Sequence, residues 1–241
     1  MKGNKLNLTE ISTPPEQALE RTCIHRDYLA HSIRYSTVFR RVKRGMNIID
    51  IGCGRGHILK GLYSNKLKPN LYLGVDIRRK ALENLEKFKT NFRVETLQMD
   101  IRTDCYLEQY SNLFDLAICF EVIEHFEAKY LDYVLSQIKR VLKPGGILML
   151  STPNFNGKAA KNHIHEYTAQ ELRPYLLRYF RIKNTYGTYA SQREIEPELS
   201  ISEHFIYQQL KECFDTDILS LIFAPLHPYQ SRNILWILKK E

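Results

Sequence analysis

The sequence alternates between short β-rich runs and longer segments with helical periodicity, and this alternation constrains the fold more than any other feature. Five apolar, β-rich runs occupy residues 46–53, 71–77, 93–101, 114–120 and 146–153. Helix-period segments lie between them, and the one before the fifth run ends in a Pro-Gly-Gly sequence, a typical helix stop. The pattern predicts an α/β fold in which helices cover both faces of a mostly parallel sheet. Ligands of such sheets bind at the carboxyl ends of the strands.

Two regions flank this alternating core. Residues 1–44 precede the first β-rich run and predict an N-terminal helical extension, which we expect to act as a lid on a domain spanning 45–241. Two further strand candidates, 178–190 and 232–239, complete the chain. About 40 residues between them, 191–231, form an insertion before the last strand.

Composition sets the broad class of the protein. The 241 residues are 44% hydrophobic and 26% charged, which fits one large globular domain with an elaboration. No apolar run approaches the roughly 18–20 residues needed to span a membrane, and the polar first residues lack the apolar core of a signal peptide. The five cysteines form no Cys-x-x-Cys pair, which argues against a zinc ribbon or a disulfide framework. We therefore expect a cytoplasmic protein.

A glycine-rich loop, DIGCGRGH (50–57), follows the first β-rich run. Gly52, Gly54 and Gly56 permit a tight turn and a close approach of the backbone to a ligand, which a Cβ would block. The dinucleotide fingerprint G-x-G-x-x-G would place its third glycine at position 57, where this chain has His57. Because tight turns use glycine for steric reasons alone, the loop indicates a ligand site only when it is considered together with the other strand ends.

Aspartates stand at the ends of the first three β-rich runs. Asp50 precedes the glycine loop, Asp76 ends the second run 20 residues after Gly56, and Asp100 lies at the end of the third. A carboxylate in the position of Asp76 is suited to accept both hydroxyls of a ribose, and one in the position of Asp100 can accept from an exocyclic amine of adenine. Taken in order, the three strand ends predict a site for an adenosine-containing ligand.

Five segments together resemble the class I S-adenosylmethionine-dependent methyltransferases: IIDIGCGRGHIL, YLGVDI, LQMDI, FDLAICFEVIEH and VLKPGGILMLSTPN. The resemblance covers roughly residues 40–240. It implies a Rossmann-like sheet of seven strands, with helices on both faces, in which the last strand runs antiparallel and is inserted beside the fifth. It also implies S-adenosyl-L-methionine as the cofactor.

The resemblance assigns a part of the cofactor to each strand end. The three loop glycines would pass under the methionine part, Asp76 would bind the ribose, and Asp100 with Ile101 would hold the adenine. The other cofactor-binding residues that it implies are Asp50, Cys53, Ile77 and Phe120.

The segment FEVIEHF (120–126) follows the fourth β-rich run, beside the expected position of the methyl group. On a helix, Glu121, Glu124 and His125 would share one face, where they could catalyse the reaction or hold Mg²⁺, Mn²⁺ or Zn²⁺. A similar E-x-x-E-H is found in the ubiquinone-pathway O-methyltransferases and in the methyltransferases that modify the 3′-terminal 2′-hydroxyl of small RNAs. Alignment with these families favours His163 over His165 as a fourth metal ligand.

Two other interpretations of this motif stay open. In a metal-free site, His125 would serve as a general base or contact the substrate. In a purely structural one, the acids would only be stabilised by the dipole at the start of a helix.

The methyl acceptor is narrowed mainly by motifs that the chain does not have. It lacks an [DNS]-P-P-[FYW] motif after the fourth run and has no Pro-Cys dipeptide, which disfavours both classes of DNA-base methyltransferase. The net charge is +8, and residues 34–44 carry five bases and no acid, so this stretch either attracts phosphates or forms a solvated basic face.

We therefore predict a methyltransferase, O-directed, acting on a hydroxyl of a small molecule or of a nucleotide or RNA. The alternatives are an N-methyltransferase with a small-molecule, nucleic-acid or protein acceptor, and a catalytically inactive cofactor-binding protein.

Overall fold

A seven-stranded sheet forms the centre of the computed structural model, which describes residues 26–157 and 159–241. The strand order is β3-β2-β1-β4-β5-β7-β6. The first five strands are parallel, and β7 runs antiparallel to both β5 and β6. The strands are Asn47–Ile51 (β1), Leu71–Asp76 (β2), Arg93–Gln98 (β3), Phe114–Phe120 (β4), Leu142–Pro153 (β5), Arg181–Tyr189 (β6) and Asn233–Lys239 (β7). The predicted fold class, with its antiparallel last strand beside the fifth, is confirmed.

Eight α-helices flank the sheet in the described part of the chain. They are Arg26–Phe39 (α1), His57–Ser64 (α2), Arg79–Glu86 (α3), Leu131–Val141 (α4), Ala169–Tyr179 (α5), Gln192–Ile195 (α6), Ile201–Lys211 (α7) and Thr216–Phe223 (α8). Alternate strand residues point to opposite faces, so Ile49 packs with α4 and α5 while Ile48 packs with α1, α2 and α3. Both faces of the sheet are therefore covered, as the sequence predicted.

The insertion between β6 and β7 folds into α6, α7 and α8. A small apolar cluster of its own, which includes Ile195, Tyr207 and Phe223, holds these helices together. The insertion thus adds a cap beside the antiparallel edge of the sheet. Its predicted boundaries, and those of the N-terminal extension, stay predictions.

Helix α1 is the described part of the predicted N-terminal extension; residues 1–25 lie outside the described residues. Its Val38 packs in the core on the α2 side of the sheet. Phe39 lies directly over Gly61 of α2, where a Cβ would overlap the Phe39 ring. This close approach fixes α1 against the sheet and directs its earlier turns toward the end of β4.

No helix in 26–157 or 159–241 is both long enough and apolar enough to cross a bilayer.

Candidate active site

A cavity of about 380 Å³ lies at the carboxyl ends of β1, β2, β3 and β4. Five of the predicted cofactor-binding residues line it: Gly52, Asp76, Ile77, Asp100 and Ile101. Five others lie outside its lining: Asp50, Cys53, Gly54, Gly56 and Phe120. The cavity also contains residues that the sequence analysis did not single out, among them Arg78, Arg102 and Val122.

Among the loop glycines, Gly52 is the one whose lack of a side chain most directly keeps the cavity open. Its backbone is left-handed, with φ +72°, and a Cβ there would overlap the Val122 methyl group from the loop after β4. The backbone of Gly52 therefore lies against a second strand end, in a space that any other residue would fill. This geometry keeps the floor of the cavity open between β1 and β4.

Asp76 and Asp100 are each bound by an arginine two residues further along the chain. The Asp76 carboxylate accepts from the Gly54 N–H at 3.0 Å and from the backbone and Nε of Arg78 at 2.9 and 3.2 Å. Asp100 accepts from Arg102 Nε at 2.8 Å, and hydrogen bonds from that guanidinium lower the pKa of the carboxyl. The signal that could have identified the two arginines is a repeated Asp-Ile-Arg, present at 76–78 and again at 100–102.

Asp50 lies beneath the cavity and contacts another side chain. It is buried, and its Oδ2 accepts from the Tyr72 hydroxyl at 2.5 Å. Burial raises the pKa of Asp50 to about 7, although the Tyr72 hydrogen bond acts in the opposite direction. Asp50 therefore supports the end of β1 from within the core.

Glu121 does not lie on a helix with Glu124 and His125, so the helical-face premise for this motif is wrong. The residue ends the β4 region with a left-handed φ of +55°, and only Ile123–His125 form a turn of 3₁₀ helix. The Glu121 carboxylate is fully engaged elsewhere, because Arg34, Ser151 and Asn233 all donate to it, at 2.7, 2.8 and 3.0 Å. Glu121 is not part of the group of potential metal ligands among the described residues, and its ion pair with Arg34 anchors α1.

Glu124, His125 and His163 form a compact group of potential metal ligands. One ligand atom from each lies within 4.8 Å of the others. The backbone holds them together, because the carbonyl of Glu124 accepts from the N–H groups of Ile164 and His165. The predicted partnership of His163 with the E-x-x-E-H motif thus has a structural basis, with three of the four predicted ligands brought together.

Hydrogen bonds fix the tautomer of both histidines. His125 Nδ1 lies 3.1 Å from the carbonyl oxygen of Asn162, which can only accept, so this nitrogen carries the proton. His163 Nδ1 lies 2.5 Å from the Glu166 carboxylate, which also accepts from the Ala160 N–H. In the neutral rings, both Nε2 atoms therefore carry free lone pairs. Metal-bound histidines show the same arrangement, with the second ring nitrogen donating to a carbonyl or a carboxylate.

Glu124 completes the group with a buried carboxylate that is only half satisfied. The residue has no exposed surface; Oε2 accepts from the Thr152 hydroxyl at 3.1 Å, and Oε1 has no hydrogen-bond partner within the described residues. Burial, followed by the charge of Glu121, raises the pKa of this carboxyl well above its usual range. A buried oxygen without a partner is unfavourable, and a cation held by Glu124, His125 and His163 would stabilise this carboxylate.

A second cavity, of about 820 Å³, adjoins the first and shares Glu121 and His125 with it. Most of its lining is polar, and it includes His31 and Arg34 from α1, His163, and Arg232 and Asn233 from the start of β7. Volumes in this range suit small-molecule ligands. The Glu121 carboxylate and the His125 imidazole thus lie where the two cavities meet.

The basic stretch 34–44 is divided by the fold. Arg34 is buried and paired with Glu121, at the carboxyl end of β4. Arg40, Lys43 and Arg44 are exposed but lie just before β1, at the amino ends of the strands. The stretch therefore does not form one continuous basic face beside the two cavities.

The sheet order, and a cavity at the carboxyl ends of its strands, define a class I S-adenosylmethionine-dependent methyltransferase fold. A SAM-dependent methyltransferase from Archaeoglobus fulgidus matches with a TM-score of 0.59 at 18% identity, over 90% of this chain and 95% of that one. The 1,6-didemethyltoxoflavin-N1-methyltransferase of Burkholderia thailandensis matches with a TM-score of 0.57 at 15% identity, over 88% and 78%. At these identities the likeness shows the fold.

The chain belongs to a family of methyltransferase domains, whose sequence profile matches residues 42–231. It is 25% identical over 198 residues to the mitochondrial ubiquinone biosynthesis O-methyltransferase of Dictyostelium discoideum, an alignment that covers 76% of this chain and 54% of that protein. The chain thus spans about half the length of the curated relatives it matches.

Proposed function

We propose that this protein transfers the methyl group of S-adenosylmethionine to a hydroxyl of a small molecule, with a divalent cation bound by Glu124, His125 and His163. One observation carries the proposal. Glu124, His125 and His163 each place one potential ligand atom within 4.8 Å of the others, and the buried Glu124 carboxylate has an oxygen without a partner among the described residues. All three line the larger polar cavity, and His125 also lines the cavity at the strand ends.

The smaller cavity is suited to the cofactor. Gly52 has no side chain, which leaves room for the part of the cofactor that lies against the protein backbone. Asp76 and Asp100 provide carboxylates at the ends of β2 and β3. Methyl transfer from a sulfonium is an in-line displacement, so the main task of the protein is to hold donor and acceptor in line at about 3 Å. The Asp76–Arg78 and Asp100–Arg102 pairs hold both carboxylates in place before the cofactor arrives.

The proposed cation would supply Lewis-acid activation, which lowers the pKa of a hydroxyl and makes it a better nucleophile near neutral pH. Two imidazoles and one carboxylate favour Zn²⁺ or Mn²⁺ over Mg²⁺, which prefers oxygen ligands. Glu166 and the Asn162 carbonyl keep the two rings in the tautomer that presents Nε2.

A metal-free mechanism is the second candidate, and the same hydrogen bond favours it. Because His125 Nδ1 donates to Asn162, its Nε2 is a free base at the junction of the two cavities. In that case His125 alone would accept the hydroxyl proton. The two mechanisms differ in whether activity requires a cation.

A small acceptor fits the site better than an RNA. The larger cavity has the volume of a small-molecule pocket. The exposed basic residues of 34–44 lie at the amino ends of the strands, on the side of the sheet opposite to the cavities. The O-directed assignment is supported by the name of the Dictyostelium discoideum relative, an O-methyltransferase.

Calorimetry with S-adenosylhomocysteine tests the cofactor part of the proposal, and lack of binding would refute it. A screen of hydroxyl and amine acceptors with radiolabelled cofactor, before and after dialysis against a chelator, tests the rest. We expect transfer to hydroxyls that is lost on chelation and restored by Zn²⁺ or Mn²⁺. Full activity after chelation would favour His125 as the base, and transfer only to amines would contradict O-methylation.

A further inference from the structure

Arg232 is a charged residue of the larger cavity with no acceptor for its guanidinium in 26–157 or 159–241. It lies directly before β7, is half-buried, and lines the cavity together with Asn233. An arginine offers five N–H donors in a planar fork, a shape that matches a carboxylate or a phosphate. Its lack of a protein partner leaves that fork available to a ligand.

The backbone of Arg232 is held by hydrogen bonds on both sides. Its N–H donates to the carbonyl of Tyr189 at 2.7 Å, and its carbonyl accepts from the N–H of Asn154 at 2.7 Å. The Asn154 side chain also donates to the carbonyls of Tyr229 and Ser231, at 3.0 Å each. The ends of β5 and β6 thus hold the start of β7, so the position from which the guanidinium extends is preorganised.

The other charged groups of this cavity have partners. Arg34 is paired with Glu121, and Glu166 accepts from His163. Glu124 is the carboxylate assigned to the proposed cation. Within the described lining of the cavity, the Arg232 guanidinium is therefore the cationic group that has neither a hydrogen-bond acceptor nor an ion-pair partner.

His31 adds a second donor to the same cavity. Its Nδ1 lies 3.0 Å from Arg34 Nη2, and because a guanidinium only donates, Nδ1 must accept. Burial and the neighbouring Arg34 charge lower the pKa of His31 to about 3, so the ring is neutral and carries its proton on Nε2. His31 is therefore a hydrogen-bond donor at neutral pH, unlike His125, whose Nε2 is free.

From the Arg232 guanidinium, which has no acceptor among the described residues, and from the donating His31, we infer that the acceptor molecule carries an oxyanion group, a carboxylate or a phosphate, which binds Arg232 in the larger cavity. This inference rests on the proposed function, since it names the acceptor class for the same site. The acceptor hydroxyl then points to the junction with the cofactor cavity, and the charged group fixes its orientation.

Calorimetry on protein saturated with S-adenosylhomocysteine tests the inference with matched probes. 4-Hydroxybenzoate is compared with 4-hydroxybenzamide, and uridine 5′-monophosphate with uridine, so the two pairs separate a carboxylate from a phosphate source. Charge-assisted hydrogen bonds predict that a charged member binds about tenfold or more tightly than its neutral partner. The Arg232→Gln variant should lose this preference while still binding S-adenosylhomocysteine.

Arg173→Gln is the matched control, because it removes the same charge from an exposed position on α5 outside the cavity. It should keep the preference for the charged probes. Equal binding of charged and neutral probes, no binding of either charged probe, a preference that survives in Arg232→Gln, or an equal loss in Arg173→Gln would each overturn the inference. Failure to bind S-adenosylhomocysteine would instead refute the proposed function.

Discussion

The Arg34 guanidinium on α1 and the Glu121 carboxylate after β4 form an ion pair with a 2.7 Å contact between Nη1 and Oε1. The Arg34 side chain is only 3% exposed and that of Glu121 is 27% exposed. The pair joins residues 87 positions apart and holds α1 over the junction of the two cavities. One of the three residues of the E-x-x-E-H motif is thus used to fix the helix that covers the site.

Glu121→Gln should destabilise the protein, because it leaves the Arg34 charge buried without a counter-charge. Breaking a buried pair typically costs on the order of 3–5 kcal/mol, and the partial exposure of Glu121 lowers the expected loss to about 2–3 kcal/mol. Urea unfolding of Glu121→Gln, Arg34→Met and the double variant measures the coupling between the two residues. Additive losses in the double variant would show that the pair contributes no stability.

His163→Ala should weaken binding of Zn²⁺ or Mn²⁺ by at least about 100-fold, since it removes a ligand, and Glu166→Gln should weaken it about 10–100-fold through the orientation of the ring. His165→Ala is the matched control, because this neighbouring imidazole bonds to Glu171 and lies outside the ligand group. Cation calorimetry on the three variants provides the measurement. Equal affinity in His163→Ala and His165→Ala would refute the assigned ligand.

Gly52→Ala should abolish binding of S-adenosylhomocysteine, because the new methyl group would overlap Val122 at the floor of the cofactor cavity. Gly45→Ala is a suitable control: its backbone is also left-handed, with φ +85°, but nothing lies within 4 Å of the added Cβ. In both variants an alanine takes a left-handed backbone conformation, which costs about 1–2 kcal/mol. The difference in S-adenosylhomocysteine binding between the two variants therefore isolates the effect of the overlap with Val122. Calorimetry should show normal binding for Gly45→Ala only.

Asp50 should make the unfolding free energy fall as pH rises from about 4 to about 7. Its pKa is raised to about 7 in the folded protein from 3.8, so in this range the folded state holds a proton that the unfolded state has lost. Stability therefore decreases by up to about 1.4 kcal/mol per pH unit and levels off above pH 7. Urea unfolding from pH 4.5 to 8.5 should show that Asp50→Asn removes this slope; an unchanged slope would assign it to other groups.

The local sequence determined the fold and the positions of the strand ends. Periodicity is set by whether neighbouring residues face the core, so the five β-rich runs, the helical segments between them and the glycine loop could be recognised without any knowledge of distant contacts. Asp76 and Asp100 line the cavity at the carboxyl ends of the strands, because a strand end fixes where its last side chains lie. Asp50 and Phe120, which the family resemblance implied as cofactor residues, lie outside the lining, since a side chain can turn to the core face instead.

The tertiary structure alone decided how the E-x-x-E-H motif is divided. A left-handed backbone at Glu121 breaks the helical spacing that the sequence suggested, and Arg34 takes the carboxylate that would have joined the metal ligands. The tautomers of His125 and His163 depend on Asn162 and Glu166, and the position of Arg232 depends on the convergence of β5, β6 and β7. These relations join residues far apart in the chain, and hydrogen-bond partners of that kind are fixed by packing, which no local pattern encodes.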